Sequence, residues 1–127
     1  MISVVLPEIL RGMAEIDRIT RDEELDALFE RSRETPVLLF KHSLTCPISR
    51  RARGEFEELV QSRAGGDEVG FALIEIQNAR PVSDAVAQRT GVKHESPQVL
   101  LLDDGQVRWH TSHFQIRKDA LDEALDG

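Results

Sequence analysis

Val37-Leu38-Leu39-Phe40-Lys41-His42-Ser43-Leu44-Thr45-Cys46-Pro47-Ile48-Ser49 is the stretch on which the reading of this chain turns. Val37 to Phe40 is an unbroken apolar run, as expected of a strand covered on both faces. Pro47 suits the first position of a helix, and Cys46 stands immediately before it. Ile48, Ala52, Phe56, Leu59 and Val60 then form an apolar stripe, and Gly65-Gly66 follows as an end signal. A buried strand therefore runs through a short loop into a helix that begins at the only cysteine of the chain. A thiol in that place faces unpaired backbone N–H groups and the positive end of the helix dipole, both of which favour thiolate.

Outward from this unit the pattern alternates. Ile16 and Ile19 flank Asp17-Arg18 in a short segment compatible with an edge strand. A helix capped by Thr20 or Asp22 carries Leu25, Leu28 and Phe29 on one face and runs to about Ser32. Phe71 to Ile76 reads as a strand, and Val82 to Thr90 as a helix with Val82, Ala85 and Val86 inward and Gly91 at its end. Val99 to Leu102 is apolar again. Asp103-Asp104-Gly105-Gln106 is a turn from which Val107 to His110 returns antiparallel. A final helix carries Ile116, Ala120, Leu121, Ala124 and Leu125. The order β-α-β-α-β-α-β-β-α implies an α/β fold, a mixed central sheet with helices on both faces.

The chain has 127 residues, enough for one core without staples, and 40% of them are hydrophobic. Its net charge of −7 argues against a general affinity for nucleic acid or anionic membrane. One cysteine excludes an intramolecular disulfide and suits a reducing compartment, so a cytoplasmic location is expected. Ile2 to Leu10 lacks a basic start and is broken by Pro7 and Glu8, so it does not read as a targeting segment. Residues 1–12 read as an extension, and residues 13–127 as a single domain.

Charge is unevenly spread. From Lys41 to Gly54 there are four basic residues, Lys41, Arg50, Arg51 and Arg53, and no Asp or Glu. A cationic island around the thiol would stabilise thiolate and attract an anionic thiol substrate. The plainer reading is that these arginines coat the outer face of a helix. Ser49, three residues after Cys46, has a hydroxyl able to hydrogen-bond a thiolate but unable to resolve a mixed disulfide. It is equally readable as an exposed polar helix residue. His110 and His113 have a plausible ligand spacing, but two histidines make a weak metal signal, and no metal site is expected. Trp109 reads as a packing residue of the hairpin.

Lys41-His42-Ser43, Thr45-Cys46-Pro47-Ile48-Ser49, Arg80-Pro81-Val82-Ser83, Lys93-His94-Glu95-Ser96-Pro97-Gln98 and Trp109-His110, taken in order, closely resemble the monothiol bacilliredoxin family. The likeness runs from about Met13 to the C-terminus. It implies a thioredoxin-like fold in which Ser96–Pro97 is a cis bond lying against the active-site cysteine. The backbone beside Pro97 would then offer an edge to a substrate chain. It implies that Cys46 is the nucleophile that takes bacillithiol from mixed disulfides on oxidised proteins, with Thr45, Pro47, Ser49, Ser96 and Pro97 supporting it. His94, three residues before Pro97, is the histidine placed to approach Cys46, with a general acid/base role as the lesser of its readings. Bacillithiol is a cysteine–glucosamine–malate thiol, and its carboxylates would suit Lys41, Arg50 and Arg51.

The leading expectation is thus a monothiol exchange enzyme with no bound cofactor, with bacillithiol as thiol co-substrate and bacillithiolated proteins as partners. No nucleic acid or membrane partner is expected. Two other readings stand beside it. One is a binding module that kept the fold without turnover. The other is an oxidant sensor in which Cys46 passes through sulfenic acid.

Overall fold

The computed structural model describes residues 15–64 and 68–127. Residues 1–12, read as an extension, and the Gly65-Gly66 end signal lie outside the described residues. Five strands, β1 (Ile16–Arg18), β2 (Val37–His42), β3 (Gly70–Glu75), β4 (Gln98–Asp103) and β5 (Gln106–Ser112), form one sheet in the order β1-β3-β2-β4-β5. β1 and β2 both run parallel to β3, whereas β4 is antiparallel to β2 and to β5. The helices are α1 (Asp22–Arg31), α2 (Pro47–Ser62), α3 (Arg80–Thr90) and α4 (Lys118–Asp126). Short 3-10 turns at Ile76–Asn78 and His113–Gln115 complete the order. This is a thioredoxin-like fold, with a mixed sheet covered on both faces.

Strand alternation divides the core into two layers. Leu39, Ala72, Ile74, Leu100 and Leu102 face Leu25 and Leu28 of α1 and Val82 and Val86 of α3. Leu38, Phe40, Phe71, Leu73, Val99 and Leu101 face Phe56, Leu59 and Val60 of α2 and Leu121 of α4. Phe56 anchors the second layer, its ring 5.1 Å from Phe40 and edge-on to Phe71 at 6.2 Å. Because β2 is the central strand, all six of its residues are buried.

The hairpin turn is built as the sequence requires. Asp104 and Gly105 both adopt positive φ, 54° and 75°, the backbone of a tight two-residue reversal. Ser32 at the end of α1 holds it, accepting the Asp104 N–H on its carbonyl and the Gly105 N–H on Oγ. Leu101 faces Trp109 and Leu102 faces Val107, so Arg108 is an extra residue on β5. That bulge reverses the alternation: Val107 packs on the α1/α3 layer, and Trp109, a packing residue as expected, lies on the α2/α4 layer.

Several boundaries differ from the sequence reading. β2 continues two residues past Phe40, and α3 begins at Arg80 because Pro81 sits in its first turn. Arg21, not Thr20 or Asp22, is the N-cap of α1, while the Glu24 carboxylate reaches back to the Thr20 and Arg21 N–H groups. Ile116 packs just ahead of α4 rather than within it.

Candidate active site

The site lies at the carboxyl ends of the parallel strands, where open α/β sheets present their loops. Cys46 is the N-cap of α2, with extended backbone (φ −101°, ψ 122°) and Pro47 in the first turn. Its thiol is free and half-buried. The first turn of α2 holds no acidic residue, so nothing there opposes negative charge at the helix start. The Ser96–Pro97 peptide bond is cis, and Pro97 is buried directly ahead of β4. Its carbonyl accepts the His113 N–H at 3.0 Å, which ties the turn after β5 to the proline.

Ser49 takes a different place from either expectation. It is fully buried and forms no hydrogen bond with Cys46; instead its hydroxyl lies 2.7 Å from His42 Nδ1 and accepts the Ser43 N–H at 2.9 Å. The hydroxyl accepts the Ser43 N–H and shares one further proton with Nδ1, in a direction set by the imidazole tautomer. Burial first, and then the Arg53 guanidinium, hold His42 below the ordinary histidine range.

Lys41 also departs from its expected role. It is fully buried, so it is no surface cation for a substrate carboxylate. Alternation turns it toward α3, where Nζ donates to the Ser83 carbonyl at 3.2 Å, while His42 turns toward α2. Burial brings the Lys41 pKa down to about 8. Arg53, in turn, pairs with Glu57 at 3.6 Å and Glu75 at 3.7 Å. The cationic island therefore reduces to Arg50 and Arg51, both exposed and without an ion pair among the described residues.

His94 is exposed and makes no hydrogen bond with Cys46. Partial burial and the Lys41 charge lower its pKa, with Asp84 and Glu95 acting in the opposite sense. His113 lies 3.7 Å from Glu95. Thr45 is exposed beside Cys46 and accepts a hydrogen bond from Gln77 Nε2 at 3.4 Å.

Sequence reasoning passed over Gln77, whose side chain bonds the loop residues Ser43, Leu44 and Thr45. Its one signal is its position just past the end of β3, the strand beside β2. Leu44 and Phe114 are the large hydrophobic side chains left exposed among the described residues. Leu44 lies in the loop before Cys46, and Phe114 follows the residue bonded to Pro97.

Comparison with solved structures gives the same architecture. A proposed oxidoreductase with a thioredoxin fold is 29% identical, with a TM-score of 0.77 over 86% of this chain and 92% of that one. A thioredoxin of Malassezia sympodialis (16% identity, TM-score 0.71, 91% of each chain) shares the fold. So does a thioredoxin of Trypanosoma brucei brucei (11%, 0.72, 96% of each chain). The family model described as monothiol bacilliredoxin BrxC matches residues 17–121, which include the helix-capping Cys46 and the cis Pro97. The match spans most of the chain, whose one cysteine caps a helix, and this chain belongs to the monothiol bacilliredoxin family.

Proposed function

We propose that this protein removes bacillithiol from mixed disulfides on oxidised proteins, with Cys46 as nucleophile. The thiolate attacks the bacillithiol sulfur, a new S–S bond forms to Cys46, and the client sulfur leaves as thiolate and takes a proton from water. A second, small thiol then attacks the Cys46 adduct and restores the free cysteine. No resolving cysteine exists in the sequence, so an external thiol must complete the cycle. The observation that carries this reading is the free, half-buried Cys46 at the start of α2, at the end of the sheet that also carries cis Pro97.

Arg50 and Arg51 supply the preference for an anionic thiol, since both are exposed on α2 soon after the cysteine and have no ion pair among the described residues. Small-thiol exchange of this kind belongs to a reducing cytoplasm, which a lone unpaired cysteine suits. The test is to incubate the protein separately with oxidised bacillithiol and oxidised glutathione and read the mass added to Cys46. Faster and fuller addition from bacillithiol supports the reading. Equal addition from both assigns general thiol transfer, and no addition from either sinks the proposal.

A further inference from the structure

We propose that Gln77 is a positioning residue of the exchange reaction, a clamp from the neighbouring strand end that fixes the 43–45 loop and so aims Cys46. This rests on the reading of Cys46 as the exchange nucleophile. Gln77 Oε1 accepts the Leu44 N–H at 3.0 Å, and Nε2 donates to Ser43 Oγ at 2.9 Å and to Thr45 Oγ1 at 3.4 Å. One amide thus grips the three consecutive residues that lead into the cysteine. Its orientation is fixed by chemistry: reversing the amide would set an NH₂ group against the Leu44 N–H, donor against donor.

The contact joins positions 33 apart in sequence at Leu44. It exists because β2 and β3 are parallel neighbours, with His42 beside Glu75, so the chain leaves both strands at one edge. On the opposite side the loop is anchored through the Ser43 N–H to Ser49 of α2. Gln77 supplies the second anchor. Displacement of a nucleophile by about 1 Å can slow a reaction by roughly 100-fold, and a loop held from one side only has that freedom.

The experiment uses the full chain as wild type, Gln77→Ala and Gln77→Glu. Release of bacillithiol from a model protein mixed disulfide is followed with the pH profile of Cys46 alkylation by iodoacetamide, Leu44 amide exchange, and thermal melting. Gln77→Ala is expected to melt close to wild type, to lose Leu44 amide protection, and to release bacillithiol about tenfold more slowly. Its alkylation at high pH, where orientation matters less, is expected to stay within about threefold of wild type. Gln77→Glu keeps an acceptor for Leu44, and the two hydroxyls can rotate to donate to it, so the loop stays held. Its added negative charge is expected to move the alkylation midpoint to higher pH and leave the upper plateau unchanged.

Gln77→Ala releasing bacillithiol within twofold of wild type would overturn the proposal, and so would unchanged Leu44 amide protection in Gln77→Ala or an unshifted midpoint in Gln77→Glu. Should Gln77→Ala fail to fold, the Gln77→Glu profile decides. Amide exchange and alkylation need no disulfide substrate. A wild-type protein that takes up no bacillithiol therefore defeats the exchange reading, while the clamp is judged separately on those two measurements.

Discussion

The Ser49 hydroxyl lies 2.7 Å from His42 Nδ1, and both residues are buried. The position three residues past the cysteine is thereby committed to joining α2 to the end of β2, not to bonding the sulfur. Ser49→Ala would leave His42 Nδ1 and the Ser43 N–H without this partner. Unmade hydrogen bonds of buried groups cost about 1–3 kcal/mol each, and the Ser43 N–H, only half-buried, recovers part of that from water. We expect a loss of about 2 kcal/mol by urea denaturation. A loss below about 0.5 kcal/mol would show that the bond contributes little.

The same pair gives an acid sensitivity. Burial, and after it Arg53, hold the His42 pKa below the ordinary histidine range. As pH falls through 6.5, histidine in the unfolded chain takes up a proton ahead of folded His42. The unfolded state then binds more protons, so stability must fall with falling pH across that window. His42→Asn offers an acceptor oxygen near the Nδ1 position and does not titrate. Denaturation midpoints between pH 7.5 and 5 should fall more steeply for wild type than for His42→Asn. Parallel curves would refute the assignment.

Which parts of this were legible in the sequence follows from the range of the interactions involved. The strand cores and the stripe of α2 declare themselves because burial on one face repeats at short spacing, at Leu38 and Phe40 or at Ala52, Phe56 and Leu59. Cys46 and Pro97 were legible through their neighbours in the chain. Lys41 was not, because a lysine ending an apolar run looks like the point where a strand meets water. Only the strand's continuation to His42 and the approach of the Ser83 carbonyl show it buried. Gln77 was hidden for a related reason: its role exists only once β2 and β3 lie side by side.

Arg50 and Arg51 lead to a prediction about rate. Exposed charges act over about 10 Å at 0.1 M salt and less at higher salt. If they draw in an anionic thiol, Arg50→Glu/Arg51→Glu should slow attack on bacillithiol disulfide by about tenfold at low ionic strength. The difference should shrink as salt is added, and a neutral disulfide should show little effect. Stopped-flow rates against ionic strength give the answer. An equal loss with both disulfides would point to disturbed α2 geometry instead of attraction.

Lys41 makes the sharpest claim about alkaline pH. Its side chain is fully buried, with the Ser83 carbonyl as its hydrogen-bond acceptor, and burial brings its pKa from 10.5 to about 8. Between those two values an unfolded chain keeps the lysine protonated while the folded protein releases the proton. More protons are bound in the unfolded state, so stability must rise as pH increases from about 8 towards 10.5. At 1.36 kcal/mol for each pH unit, the full rise is about 3 kcal/mol, of the order of the penalty for keeping the ammonium buried at neutral pH. Lys41→Met retains much of the volume and removes the charge. It should abolish the alkaline rise and be no less stable than wild type at pH 7, since the lost bond to Ser83 is offset by the relieved desolvation. Urea titrations of both proteins at pH 7, 8.5 and 10 decide the matter: a wild-type curve that stays level, or falls in step with that of Lys41→Met, would mean that the ammonium finds compensation inside the fold.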